Sequence, residues 1–127
     1  MPRAEQIWTI VVGGGSGERF GRPKQYEELD DGRRVLDVSR DTAAQVSDGV
    51  VLVVPAADAD REGAVAGGST RSGSVRAGLD AVPDDATIIC VHDAARPLAD
   101  AALFERVIEA VAAGADAAIP AVAVTDT

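Results

Sequence analysis

Aromatic residues make up only 3% of the sequence, so the core has to be built from Val, Ala, Leu and Ile. The single cysteine, Cys90, cannot close an internal disulfide, which agrees with a reducing, cytoplasmic setting. No apolar run approaches the roughly 20 residues that a membrane helix needs. The opening "MPRAEQ" has no apolar signal region, so nothing suggests export. Positive charge is also scarce: 12 Lys and Arg stand against 21 Asp and Glu, a net charge of −9. Such a surface repels nucleic-acid backbones and anionic lipid, so neither nucleic acid nor membrane is expected as a partner. A phosphorylated ligand would be repelled as well, unless cations are gathered locally.

They are gathered in one place. "IWTIVVGGGSGERFGRPKQ" joins a β-branched apolar run to a loop with five glycines between Gly13 and Gly21. Arg19, Arg22 and Lys24, the chain's only lysine, face only Glu18 there. Glycines let backbone N–H groups converge on an anion, because no side chain blocks the approach. Neither the dinucleotide fingerprint nor the P-loop spacing fits: Glu18 or Phe20 stands at the third glycine position, and Lys24 follows Pro23. Two readings stay open, a tight strand-to-helix turn or a triphosphate cradle, and the adjacent cations favour the second.

At 127 residues the chain is expected to form one domain. Strands are predicted at Ile7 to Val12, Gly49 to Val54, Thr87 to Val91 and Ala117 to Val122, all apolar without polar alternation. Helices are predicted at Val35 to Val46, from about Ser74 to Ala81, and from Asp100 to Ala113 with Gly114 as the stop. "PAADADREGAVAGG" reads as an irregular connection with a short extended piece at Ala64 to Ala66. The alternation implies a three-layer α/β/α fold with a mostly parallel sheet. Ligands then bind beyond the carboxyl ends of the strands, which directs attention to the loops after Val12, Ala66 and Val91.

"GGSTRSGSVRAGL" supplies glycines and hydroxyls ahead of an apolar helix. It is either a surface that reads a flat polar group, or a Ser-rich loop in which Ser72 or Ser74 caps the helix. "TIICVHDAARPL" carries a buried strand into Asp93, where a carboxylate beside a phosphate loop would hold Mg²⁺. The alternative is a turn residue paired with Arg96. His92 is expected to be hydrogen-bonded and structural, and Cys90 to be core.

Together, "GGGSGERFGRPKQY", "GGSTRSGSVRAGL", "VHDAARPL" and "VTDT" resemble the 2-C-methyl-D-erythritol 4-phosphate cytidylyltransferases of the non-mevalonate isoprenoid pathway, over essentially the whole chain. The first motif is shared with many sugar-nucleotide pyrophosphorylases, and the pairing of the second and third is more specific. Ribitol 5-phosphate cytidylyltransferases share much of the layout. The resemblance implies a Rossmann-like nucleotidyltransferase fold that cradles CTP on Gly13, Gly14 and Gly15. Arg19 and Lys24 would hold its phosphates and act in catalysis. Gly68, Ser69 and Ser74 would lie at the cytidine, Asp93 would bind Mg²⁺, and Ala94 and Arg96 would line the same site. Asp126 and Thr127 would begin the methylerythritol phosphate site. The family usually has alanines at Gly13 and Gly14, a proline at Ala123 and often an acidic residue at Ser69.

The implied reaction is attack of a phosphate oxygen of methylerythritol phosphate on the α-phosphorus of CTP, releasing pyrophosphate. No serine, cysteine or histidine stands with an evident base, and none is needed, because a phosphomonoester is largely ionised at neutral pH. The rivals are transfer to another polyol phosphate, such as ribitol 5-phosphate, and nucleotide binding without turnover. The family continues beyond "VTDT" with a lysine, a dimerising arm and further basic residues. The chain is therefore expected to carry the nucleotide-binding half, to turn over poorly alone, and to self-associate through apolar surface near Ala117 to Val124. The complete family implies a homodimer.

Overall fold

The computed structural model describes residues 5–13 and 24–121. Four strands, β1 (Ile7–Val12), β2 (Gly49–Val54), β3 (Val65–Ala66) and β4 (Ile88–Asp93), form one sheet in the order β3-β2-β1-β4. Every pairing is parallel, with Val12 beside both Val53 and Asp93. The helices are α1 (Val35–Val46), α2 (Ala59–Glu62), α3 (Arg71–Ala81) and α4 (Ala101–Ala112).

Strand residues alternate between faces, so β1 serves two cores. Ile10 and Val12, with Val51 and Val53, pack against Val75 and Val82 on the α3 side. Val11, with Leu52 and Val54, packs against Leu36 and Ala43 of α1 and Phe104 of α4. Helices thus cover both faces, and the three-layer parallel expectation holds. On the α3 side the helix lies very close: a Cβ on Gly78 would sit 2.5 Å from Ile10 Cγ2.

Several local expectations are corrected. α3 begins at Arg71 rather than Ser74, and its N-cap is Thr70, whose hydroxyl accepts from the Gly73 N–H at 3.0 Å. Neither Ser72 nor Ser74 caps it. β4 runs on to Asp93, because His92 and Asp93 continue the ladder beside Val11 and Val12. β4 is also the sheet edge among the described residues, and Ile89 and Val91, on the α3 face but outside the core packed there, are 42% and 43% exposed rather than buried. Cys90 is accordingly half-buried, not core. The connection after β2 is partly helical: a 3-10 turn at Ala56–Asp58 leads into α2, ended by Gly63 at φ 62°. At four residues, α2 is too short to show an apolar period. No strand forms over residues 117–121, and residues 118–121 line a hollow with Leu103, Val107 and Ala110 of α4. Pro120 has no N–H to give a ladder.

α4 itself matches its reading. Asp100 caps it by accepting from the Leu103 N–H at 3.0 Å, and Phe104 is its buried anchor.

Candidate functional site

The parallel register brings the carboxyl ends of all four strands to one edge. The Gly13 N–H donates to the Val53 carbonyl at 2.7 Å, and the Ala94 N–H to the Val12 carbonyl at 2.9 Å. The Gly67 N–H donates to the Val54 carbonyl at 2.7 Å. Gly13, the Asp93–Arg96 turn and the Gly67–Gly68 turn are therefore neighbours along that edge, as the loop reading required.

At the centre, Gly13 is buried, and a Cβ there would meet Leu36 Cδ1 at 3.1 Å and the Cβ atoms of Ala94 and Gln25 at 3.5 Å. The start of the glycine loop thus rests on α1 and on the turn after β4. Ala94 is fully buried and packs beside Gly13. A 3-10 turn, Lys24–Tyr26, receives the chain after the loop, with Lys24 exposed and Gln25 buried. Gly14, Gly15, Arg19, Asp126 and Thr127 lie outside the described residues.

Asp93 ends β4 with its side chain 44% exposed. Its Oδ1 accepts from the Ala95 N–H at 3.1 Å, and the Arg96 N–H donates to its carbonyl at 3.0 Å. Arg96 is 80% exposed, with Nε 4.0 Å from Asp93 Oδ2. The carboxylate is therefore both a turn residue and an available oxygen donor. Among the described residues no three of His, Cys, Asp and Glu cluster as a metal cage. One open carboxylate fits Mg²⁺, which keeps waters and takes substrate phosphates as its remaining ligands.

His92 is buried and meets Phe104 edge to face at 4.9 Å between ring centres. Its Nε2 has no hydrogen-bond partner among the described residues, which departs from the hydrogen-bonded role expected. Burial holds its pKa below the ordinary value, and the ring packs as a neutral side chain.

In the second loop, Gly68 and Ser69 are exposed, whereas Ser74 is buried. Ser74 Oγ accepts from the Gly68 N–H at 3.2 Å, and a Cβ on Gly67 would lie 2.7 Å from that oxygen. Ser74 thus shapes the turn from beneath, leaving Gly68 and Ser69 to face outward.

The residue reading missed a cluster beside Lys24. Tyr26 donates its hydroxyl proton to Asp58 Oδ2 at 2.7 Å, and its ring lies near Arg61 and Arg34, 5.0 and 5.7 Å from the guanidinium carbons. Arg34 is bidentate to both Glu62, at 2.9 and 2.8 Å, and Asp37, at 2.8 and 3.1 Å. These hydrogen bonds raise the Arg34 pKa and lower that of Glu62 to about 2. Burial, then the Asp58 bond, pushes Tyr26 up to about 12. No sequence period could join residues from three separate segments.

Residues 7–127 match the family model described as IspD: 2-C-methyl-D-erythritol 4-phosphate cytidylyltransferase. The bifunctional enzyme IspD/IspF of Anaeromyxobacter dehalogenans is 44% identical over the whole of this chain, which spans 35% of that enzyme. The 4-diphosphocytidyl-2C-methyl-D-erythritol synthase structure from Anaerococcus prevotii superposes with a TM-score of 0.71 at 30% identity, covering 84% of this chain and 51% of that one. Rv0371c of Mycobacterium tuberculosis, solved in complex with manganese, gives 0.65 at 25% identity, covering 85% of this chain and 60% of that one.

Proposed function

The chain belongs to the 2-C-methyl-D-erythritol 4-phosphate cytidylyltransferase family, and from that membership we propose that it binds CTP and transfers CMP to 2-C-methyl-D-erythritol 4-phosphate in isoprenoid precursor synthesis. The observation that carries the proposal is the meeting of Gly13, Asp93 and Gly67–Gly68 at the carboxyl edge of four parallel strands. We assign residues 1–127 to one nucleotide-binding unit.

Each group has a task. The backbone from Gly13 through Gly14 and Gly15 receives the triphosphate, and Arg19 and Lys24 neutralise its charge as pyrophosphate departs. Gly68 and Ser69 read the cytosine, on a turn that Ser74 holds in shape. Asp93 holds a divalent cation, Mg²⁺ in our reading, with Arg96 beside it; the manganese in the related Rv0371c structure supports a divalent ion. That ion supplies charge neutralisation at the phosphates. Asp126 and Thr127 are assigned to the acceptor. The acceptor phosphate is its own nucleophile, so the chain has only to position and neutralise.

We assign the enzyme to the cytoplasm, a setting that a nucleotide substrate and a biosynthetic product favour. Net charge −9 disfavours nucleic acid, and no helix among the described residues is long and apolar enough to cross a membrane. Exposed Ile89, Val91 and Ile119 support a homo-oligomer.

Pyrophosphate release with CTP and a panel of polyol phosphates tests the function. Release with methylerythritol phosphate alone supports it. Release only with ribitol 5-phosphate transfers the activity to the other acceptor, and CTP binding without release makes the chain a nucleotide-binding module.

A further inference from the structure

The turn that carries Lys24 is anchored through Gln25 and Tyr26. A 3-10 turn has about three residues per revolution, so Lys24, Gln25 and Tyr26 leave it in three directions roughly 120° apart. Gln25 is buried toward the end of β1, beside Gly13. Tyr26 points to the segment after β2, and Lys24 is left on the exposed side.

The hold on Tyr26 is a closed ring of contacts. Tyr26 donates to Asp58, and Asp58 pairs with Arg61 at 3.5 Å. Arg61 Nε donates to Glu62 at 3.1 Å, Glu62 accepts two bonds from Arg34, and both guanidiniums lie near the Tyr26 ring. No member can change rotamer without breaking two contacts. The backbone adds to this, because the Val35 N–H donates to the Glu27 carbonyl at 2.8 Å and Glu28 bridges Arg34.

Two alternatives account poorly for this arrangement. Arg34 and Arg61 are neutralised by Asp37, Asp58 and Glu62, so they are poor ligands for a phosphate. Exposed ion pairs also add little to global stability, and Arg61 is 60% exposed. What the ring does fix is the start of a lysine stem. Lysine is a flexible four-carbon arm, and misplacing a charged group by an ångström can cost as much as about 10²-fold.

We infer that Tyr26, clamped by Asp58, Arg61, Glu62 and Arg34, is a positioning residue that sets Lys24 for the triphosphate. The inference rests on the phosphate role proposed for Lys24. It makes the segment after β2 part of the phosphate site, acting through Tyr26.

A double-mutant cycle on CTP affinity tests it, by calorimetry on the full chain with Mg²⁺ present. Lys24→Ala should weaken CTP about 10–100-fold, the range for a lost charge-assisted hydrogen bond. Tyr26→Leu should cost a large part of that in the unaltered chain, and less than about 2-fold once Lys24 is alanine. Arg61→Ala repeats the cycle from an exposed side chain whose ion pairs add little to global stability, with a smaller loss that should also vanish in the Lys24→Ala background. Equal losses in both backgrounds, or none from either variant, overturn the clamp and leave the Lys24 role standing. Unchanged affinity in Lys24→Ala overturns that role and the clamp with it. No CTP binding by the unaltered chain overturns the nucleotide reading itself.

Discussion

Ser39 of α1 donates a 2.8 Å hydrogen bond to the carbonyl of Ala94, wholly inside the protein. That bond ties the first helix to the turn whose opening residue is the candidate metal carboxylate. Ser39→Ala leaves the Ala94 carbonyl buried without this partner, at a cost of about 1–3 kcal/mol. Urea unfolding measures the loss. It should be accompanied by weaker Mg²⁺-dependent CTP binding, and unchanged stability would remove the importance given to this tie.

Gly78 is predicted to resist the usual gain from alanine in a helix. Its added Cβ would press on Ile10 Cγ2 at 2.5 Å and Val53 Cγ2 at 3.1 Å. Helix propensity favours alanine by about 1 kcal/mol, whereas overpacking costs about 1–3. Gly78→Ala should therefore be destabilising on balance, by chemical denaturation. A more stable variant would show that α3 can lift from the sheet freely.

Tyr26 is the only tyrosine, so tyrosinate absorbance follows this one phenol. It should titrate near 12 rather than 10. Because the folded pKa is raised, the contribution to stability is complete below pH 10 and fades as pH rises through about 12. Asp58→Ala should lower the midpoint only in part, since burial is the larger cause. An unshifted midpoint in the unaltered chain would mean that neither the burial nor the Asp58 bond holds in solution.

The acid side has two windows. Burial lowers the His92 pKa from 6.5, so its contribution is complete above that value and declines as pH falls through the lower folded pKa. Glu62, lowered from 4.5 to about 2 chiefly by its Arg34 bonds, contributes above 4.5 and fades toward 2. His92→Leu should flatten the stability profile just below pH 6.5 while leaving the Glu62 decline in place. A single decline confined to lower pH would argue that His92 titrates normally.

β1, α1, β2 and α4 were legible because each is a continuous apolar run or a periodic face of ordinary length. β4 was legible as a strand but not as an edge: Ile89 and Val91 are as apolar as Ile10 and Val51, and only packing on the α3 side decides which are covered. The carboxyl-edge loops were legible because glycine, hydroxyl and carboxylate groups interrupt apolar strands there. The allotment of roles within them was less so. Ser74 and Ala94 are buried whereas Gly68, Ser69 and Arg96 are exposed, a difference that burial reveals and composition does not. Tyr26, Arg34 and Glu62 come from separate segments and carry no local signal of their contact.

Asp93 offers the sharpest separation between a metal ligand and a turn residue. Its Oδ1 already accepts from the Ala95 N–H, so the carboxylate has a structural task whether or not a cation binds. Asp93→Asn keeps an acceptor oxygen for that bond and removes the negative charge. If the charge serves only the turn and Arg96, the exposed pair with that arginine is worth little, and CTP binding should change equally with and without Mg²⁺. If the charge holds the cation, the substitution should weaken CTP about 10-fold or more with Mg²⁺ present and hardly at all without it, on the scale of one charge-assisted contact. Calorimetry of CTP binding under both conditions measures the difference. Equal losses would return Asp93 to the turn and leave the divalent ion to the phosphates alone.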